Sequence, residues 1–379
     1  MKKVFIVVER RADYSRYKPI MEKLKSDSNF KIYLVVTGIA LLDIHGNDVD
    51  YIENDGFQIS AKIPMFINKN IDNGAEMVRA MSRVMFSLVD ELEKAKPDLV
   101  LSGFDIGANL AVTIAASHMN IPVFHIQGGE VTGSIDESIR HAMSKFSHVH
   151  LPATDDAKNR LIRMGEDPKN IFVVGCPSID VLINTPTIPK EELEKEFDID
   201  FSKPFVIMIQ HPVTTESLNS FNQITSTLNA IKKLKIQAII LLPNNDAGHS
   251  QIIKKIQDSG LKWYPSLPAI KFVNLYRNAW AIVGNSSSGI HEAATLKIPS
   301  VNIGSRQQGR ERAGNVIDVS YEENDIVKGI EKALYDNEFR EYVKTITNPY
   351  GIGDAAKRIL DVLKSVDVSE KIQKVFYEQ

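Results

Sequence analysis

The chain has 379 residues, 25% of them charged and 43% hydrophobic, and 45 Lys plus Arg against 48 Asp plus Glu leave a formal charge of −3. That length predicts two domains, and the balanced charge excludes a nucleic-acid binder working through a general basic surface. The single cysteine, Cys176, excludes an internal disulfide framework or a multi-cysteine metal site, and no apolar run reaches the roughly 18–20 residues of a membrane helix.

In chain order, the first apolar run is residues 4–8. Glu9, Arg10, Arg11 and Asp13 end it too early for an export signal, so it reads as a buried strand of a soluble, cytoplasmic protein. A helical period follows over 17–24, with Ile20, Met21 and Leu24 on one face. Residues 31–36 predict a second strand, 76–92 a long amphipathic helix, and 99–102 and 122–126 two further strands. Residues 149–151 and 171–174 read as two more. The rhythm breaks over 184–200, which holds Pro186, Pro189 and the charged run 190–196. It restarts with strands at 205–209, 238–242, 279–283 and 300–303, separated by helices near 224–234 and 251–258 and one starting near Ser288. Such alternation predicts an α/β fold of two Rossmann-like doubly wound domains, 1–184 and 185–353, facing each other across a cleft. Ligands of such sheets bind outside the carboxyl ends of the strands, so the turns after each strand carry the functional information.

The common nucleotide signatures are absent: there is no G-x-x-x-x-G-K-[ST], and no G-x-G-x-x-G follows the first strand. His291-Glu292 lacks the second histidine of a zinc protease motif, and the nine histidines show no metal-ligand spacing. Instead the strand ends carry small, anion-friendly turns. Gly284-Asn285-Ser286-Ser287-Ser288-Gly289 runs into a helix with His291 and Glu292, which suits a phosphate or sugar site as well as simple serine capping. Gln210-His211-Pro212 places a histidine at another strand end, where a structural role competes evenly with a catalytic one. Arg10-Arg11-Ala12-Asp13-Tyr14 follows the first strand and on its own reads as a solvated turn. The densest polar stretch is His125-Ile126-Gln127-Gly128-Gly129-Glu130, continuing through Gly133, Asp136, Glu137, Arg140 and His141. Clustered carboxylates beside glycines suit acid–base work on a polar substrate. Helix capping explains Asp136 and Glu137 equally well, but not Glu130.

Seven pieces stand in order between residue 11 and about residue 312. They are Arg11-Ala12-Asp13-Tyr14-Ser15, the stretch from His125 to Gly133, Asp136-Glu137-Ser138-Ile139-Arg140-His141, Gly175-Cys176-Pro177-Ser178-Ile179-Asp180, Gln210-His211-Pro212-Val213-Thr214-Thr215, Gly284-Asn285-Ser286-Ser287 and Gly304-Ser305-Arg306-Gln307. Together they resemble the UDP-N-acetylglucosamine 2-epimerase family, in its hydrolysing branch. The resemblance implies the GT-B arrangement of two Rossmann-like domains, with the C-terminal helix, 354–379, completing the first. It implies elimination of UDP across C1–C2 of UDP-N-acetylglucosamine and hydration of the resulting 2-acetamidoglucal, giving N-acetylmannosamine and UDP for nonulosonic acid synthesis. No metal and no redox cofactor is implied, and the partners are a UDP-sugar and a second or further copy of the chain, as a homodimer or homotetramer. Arg11, His211, Ser286, Ser287 and Arg306 are implied around the diphosphate and Glu292 on the ribose, with Asp13, Ser15 and Gln127 among the substrate-binding residues. Asp105, Glu130, Asp136 and Glu137 are implied near the sugar, and with His211 they form the catalytic set.

Two departures from the family pattern stand out. Gln127 occupies a place where relatives often carry Glu, and Ser102-Gly103-Phe104-Asp105-Ile106 stands where many read His-Gly-Asp-Arg. Three alternatives stay open on the sequence. They are the same reaction on a UDP-2,4-diacetamido-2,4,6-trideoxyglucose, a non-hydrolysing epimerisation, and a non-catalytic nucleotide-sugar sensor.

Overall fold

Strands covered on both faces need side chains that are apolar at nearly every position, and such runs form the sheet centres of this protein. The computed structural model describes residues 1–42, 48–67, 72–104, 107–369 and 373–378. The chain divides into two units: unit 1 is Met1–Val131, Ile135–Val181 and Tyr350–Gln379, and unit 2 is Thr132–Ser134 and Leu182–Pro349.

Unit 1 holds strands β1 (Lys2–Val8), β2 (Phe30–Thr37), β3 (Ile59–Ile63), β4 (Leu99–Gly103), β5 (Val123–Ile126) and β6 (Val149–Leu151). Its helices are α1 (Arg11–Lys25), α2 (Asp48–Asn54), α3 (Gly74–Ala95), α4 (Gly107–His118), α5 (Ile135–Phe146) and α6 (Asp155–Arg163), with α7 (Pro177–Asn184) running across the boundary. In unit 2 lie strands β7 (Phe205–Ile209), β8 (Gln237–Leu241), β9 (Trp263–Tyr264), β10 (Ala281–Gly284), β11 (Ser300–Ile303) and β12 (Val316–Val319). They alternate with α8 (Lys190–Phe197), α9 (Ser220–Leu234), α10 (His249–Gln257), α11 (Ala269–Asn278), the single turn α12 (Ser288–His291), α13 (Glu323–Tyr335) and α14 (Asn337–Thr345). The last helix, α15 (Ala355–Ser365), returns to unit 1, where Ala356, Ile359 and Leu363 share a core with Tyr17, Ile20, Met21 and Leu24 of α1. It ends at Ser365.

Every strand pairing is parallel. The sheet orders are β3-β2-β1-β4-β5-β6 and β12-β11-β10-β7-β8-β9. Numbered from its own first strand, each sheet has the 3-2-1-4-5-6 order of a dinucleotide-binding fold, so the protein is a pair of Rossmann-like units. The strand order reverses between β1 and β4 in unit 1 and between β7 and β10 in unit 2, and the crevice outside the strand ends opens there.

Two features differ from the sequence reading. The run 171–174 forms only an isolated bridge, Ile171 to His150. β6 ends at Leu151, and Pro152, which has no N–H to donate, prevents a full ladder from forming beside it. The strands β3, β9 and β12 went unread because they lie at or beside sheet edges and are half exposed, mixing polar with apolar side chains.

Candidate active site

In unit 1 the first strand ends at Val8, and the residues after it lock the switch point. Glu9 Oε2 accepts from the Ala108 N–H at 2.8 Å, while Arg10 donates to Asp13 Oδ1 (2.9 Å) and to the Phe104 carbonyl (3.2 Å). Asp13 is fully buried, and its Oδ2 has no hydrogen bond among the described residues. Burial pushes its carboxyl above the usual range against the pull of Arg10. Asp13, expected from the resemblance among the substrate-binding residues, is sealed inside and braces the turn. Ser15 is also taken up locally, its hydroxyl donating to Ala12 O at 2.9 Å within α1. Arg11 pairs with Asp48 at 2.5 Å and lies over the Tyr51 ring, holding its guanidinium beside α2. Burial raises Asp48 to about 6, with Arg11 opposing. Asp105 lies outside the described residues.

The turn after β5 is the most constrained in unit 1. Gln127 has φ +58 and donates its backbone N–H to Leu151 O at 2.9 Å. Its Nε2 donates to Glu130 Oε1 at 3.0 Å, and the two side chains are 4% and 6% exposed. Gly129, at φ +83, lies so close to the Ala157 carbonyl that a Cβ would collide with it. Arg160 of α6 donates to Gly129 O (2.6 Å), and the buried Arg140 of α5 donates to Glu130 O (2.8 Å). Behind the turn, His125 contacts Ser144 Oγ at 3.1 Å. Burial first, then His150 and Arg140, keep its imidazole neutral. Asp136 and Glu137 open α5, half-buried, where the helix dipole favours negative charge. Glu137 is 3.9 Å from His141 Nε2. The turn thus presents one oriented carboxylate, Glu130, with two more at the adjoining helix start.

In unit 2 the residues after β7, β10 and β11 form a hydrogen-bonded set. Gly284 takes φ +126 with its Cα against Ile209 O, leaving no room for a side chain. Asn285 is thereby turned toward the end of β7, where its side chain accepts from His211 N (2.7 Å) and donates to His211 O (2.9 Å). Asn244 N donates to His211 Nδ1 at 3.1 Å, which puts the imidazole proton on Nε2. Ser286 Oγ contacts Ser288 Oγ at 2.9 Å and accepts from Ser288 N, while Ser287 precedes α12 as its cap residue. Arg306 Nη1 and Gln307 Nε2 both donate to Asn285 O, at 3.2 and 2.8 Å. Glu292 is nearly buried, and its Oε2 has no hydrogen bond among the described residues. His211, Ser286 and Arg306 therefore gather around Asn285 at the ends of β7, β10 and β11, with Ser287 and Glu292 at the two ends of the short α12 that follows. Imidazole N–H, hydroxyl and guanidinium donors in one place suit a diphosphate.

Asn285, Asn244, Arg140 and Arg160 are not among the site residues expected from the sequence. Asn285 and Arg140 stand inside the quoted motifs, and Asn244 sits in the Pro243-Asn244-Asn245-Asp246 turn at the end of β8. Arg160 carried no signal, being one charge among several on α6. Among the described residues no group of three or more His, Cys, Asp or Glu is placed to hold a metal ion, and no helix is long and apolar enough to cross a membrane.

The chain matches known proteins along nearly its whole length. A family model for UDP-N-acetylglucosamine 2-epimerase matches residues 22–364. The chain is 35% identical to the UDP-N,N′-diacetylbacillosamine 2-epimerase (hydrolyzing) of Legionella pneumophila, over 98% of each chain. It is 31% identical to the GDP/UDP-N,N′-diacetylbacillosamine 2-epimerase (hydrolyzing) of Campylobacter jejuni, over 100% of this chain and 99% of that one. The crystal structure of UDP-GlcNAc 2-epimerase from Neisseria meningitidis bound to UDP-GlcNAc superposes with a TM-score of 0.81 at 24% identity, covering 96% of this chain and 100% of that one. Full-length identity to hydrolysing relatives, on a matching pair of Rossmann-like units, makes the chain a member of the UDP-N-acetylglucosamine 2-epimerase family, in its hydrolysing branch, and a nucleotide-sugar 2-epimerase.

Proposed function

We propose that the protein converts UDP-2,4-diacetamido-2,4,6-trideoxyglucose (UDP-N,N′-diacetylbacillosamine) and water to UDP and the free 2-epimeric sugar. The observation that carries the reaction class is the buried pair in which Gln127 Nε2 holds Glu130 Oε1 at 3.0 Å, an acceptor-only carboxylate oriented for proton removal. Glu130 takes the C2 proton, the C2–H electron pair becomes the C1=C2 double bond, and the C1–O bond breaks with its pair leaving on UDP. The C2 proton is poorly acidic, so C1–O cleavage runs ahead and charge builds on the diphosphate. His211 Nε2–H, Arg306 and the Ser286–Ser287 hydroxyls stabilise that charge, and Glu292 takes the ribose hydroxyls. In the second half, water adds its hydroxyl to C1 while C2 is protonated from the opposite face, with Asp136 or Glu137 moving the protons.

The diacetamido sugar is preferred because relatives named for it match this chain end to end at 35% and 31% identity. UDP-N-acetylglucosamine is the second reading, favoured by a 29% identical relative from Neisseria meningitidis named as a UDP-N-acetylglucosamine 2-epimerase. Incubating the protein with each UDP-sugar in deuterated water separates the readings. Free 2-epimer carrying deuterium at C2, formed faster from the diacetamido sugar, is the expected result. Faster turnover of UDP-N-acetylglucosamine would replace the substrate. C2 exchange with the UDP-sugar left intact would overturn the hydrolytic reaction.

A further inference from the structure

One carboxylate of unit 2 stands outside every role given above. Glu216 lies in the 3-10 turn Thr214–Asn219, a few residues beyond His211, and its side chain collects three donors from three other parts of the unit. Its Oε1 accepts from Ser305 Oγ at 2.6 Å, and its Oε2 accepts from Tyr321 OH at 2.8 Å and from Gln223 Nε2 at 2.7 Å. Burial works to raise this carboxyl, but the three donors prevail and hold it below the usual glutamate range. Ser305 immediately precedes Arg306. The turn they share is held from two further sides. The Tyr321 ring lies against Gly304, which has φ +75, so closely that a Cβ would collide with it, and the Gly133 N–H donates to Arg306 O at 3.0 Å.

We propose that Glu216 is a positioning residue for the nucleotide: by fixing Ser305 it ties the turn carrying Arg306 to the loop carrying His211, so that guanidinium and imidazole meet the diphosphate as one preformed set. Glu216 itself touches no ligand. The inference rests on the reading that these residues bind the UDP moiety. A preformed set binds without the ordering cost of a loose loop, so loosening this brace weakens nucleotide binding even though no contact to the ligand is removed. Glu216→Gln keeps the shape but removes the charge and turns one acceptor oxygen into an N–H₂, so at least one of the three donors must reorient or lose its partner.

The test is calorimetric titration of UDP into the wild type, Glu216→Gln, Ser305→Ala and the double variant, with the melting temperature of each recorded. Each single change should weaken UDP binding by about 10-fold, the scale of a lost hydrogen bond to a charged group. The double variant should bind no worse than the weaker single one, because both changes cut the same link. A role confined to stability would lower the melting temperature and leave UDP affinity at 25 °C unchanged, and that result would overturn the proposal. Additive losses would overturn it too, since Glu216 would then act by a route other than Ser305. A folded wild type that failed to bind UDP would instead remove the reading of the nucleotide site, and the inference with it.

Discussion

Replacing Gln127 by Glu tests the Gln127–Glu130 pair most directly. In the wild type an amide N–H meets Glu130 Oε1 at 3.0 Å in a turn where both side chains are almost wholly buried. The substitution leaves the backbone alone, since Gln and Glu face the same restraint at φ +58. What changes is charge: two carboxylates would stand about 3 Å apart. At an effective dielectric of about 20 their repulsion is about 5.5 kcal/mol, which is equivalent to about 4 pKa units. The pair would titrate as one unit and hold its last proton well above the ordinary glutamate range. At pH 7 the two carboxyls would then share one proton, which sits on Glu130 in about half of the molecules. UDP release should be about 2-fold slower than wild type at that pH and should recover as the pair loses its last proton at higher pH. The assay is coupled UDP release at saturating substrate across pH 6–10. An unchanged profile in the folded variant would mean that Glu130 is not the base.

Four further outcomes are expected. His211→Ala should lower turnover by about 10² if its Nε2–H stabilises the leaving diphosphate, and wild-type turnover in folded protein would remove it from the mechanism. Activity should survive dialysis against a strong chelator; loss restored by Mg²⁺ or Mn²⁺ would show a metal requirement. Gly284→Ala, which combines φ +126 with a collision against Ile209 O, should cost about 2 kcal/mol or more of stability, read as a fall in midpoint on denaturant unfolding. The last concerns acid. Burial pushes Glu166 up, but His150, Lys145 and Lys374 together hold it down at about 2, while burial keeps His150 neutral. The carboxylate contribution is complete above its unfolded value of about 4.3 and is lost as pH falls toward 2. The His150 contribution begins to go below about 6.5, where the unfolded imidazole takes a proton. Melting temperature should therefore fall as pH drops below about 6.5, and Glu166→Gln should flatten the part below about 4.5. An equal slope in the variant would refute the Glu166 share.

The central strands were legible because burial on both faces leaves few polar positions: residues 4–8 of β1, residues 99–101 of β4, β7 and β10 are apolar runs in any reading. Glycine-rich turns marked the strand ends for a similar reason, since Gly129 and Gly284 occupy places where only backbone fits. Side-chain assignment within those turns was not legible. Asp13 and Glu130 are both carboxylates in quoted motifs, yet one is sealed against Arg10 and the other is oriented by Gln127. Nothing in the spacing separates them, because the partners that decide the matter come from distant parts of the chain. Glu216 makes the same point, as its donors lie on α9, after β11 and after β12.

The discontinuity of unit 1 also sets a timetable. One face of its sheet is walled by α1 together with α15, and α15 is made only after the whole of Leu182–Pro349. At translation rates of ~5–20 residues per second that delay is roughly 10–30 s. During that interval Tyr17, Ile20, Met21 and Leu24 pack on the strands of unit 1 without the cover that Ala356, Ile359 and Leu363 add in the finished protein. Unit 2, apart from Thr132–Ser134, comes from one unbroken stretch and has its whole sheet before α15 emerges. The half of the molecule that begins first is thus the last to close, and in the growing chain the bare face of α1 is the surface a holding chaperone would meet.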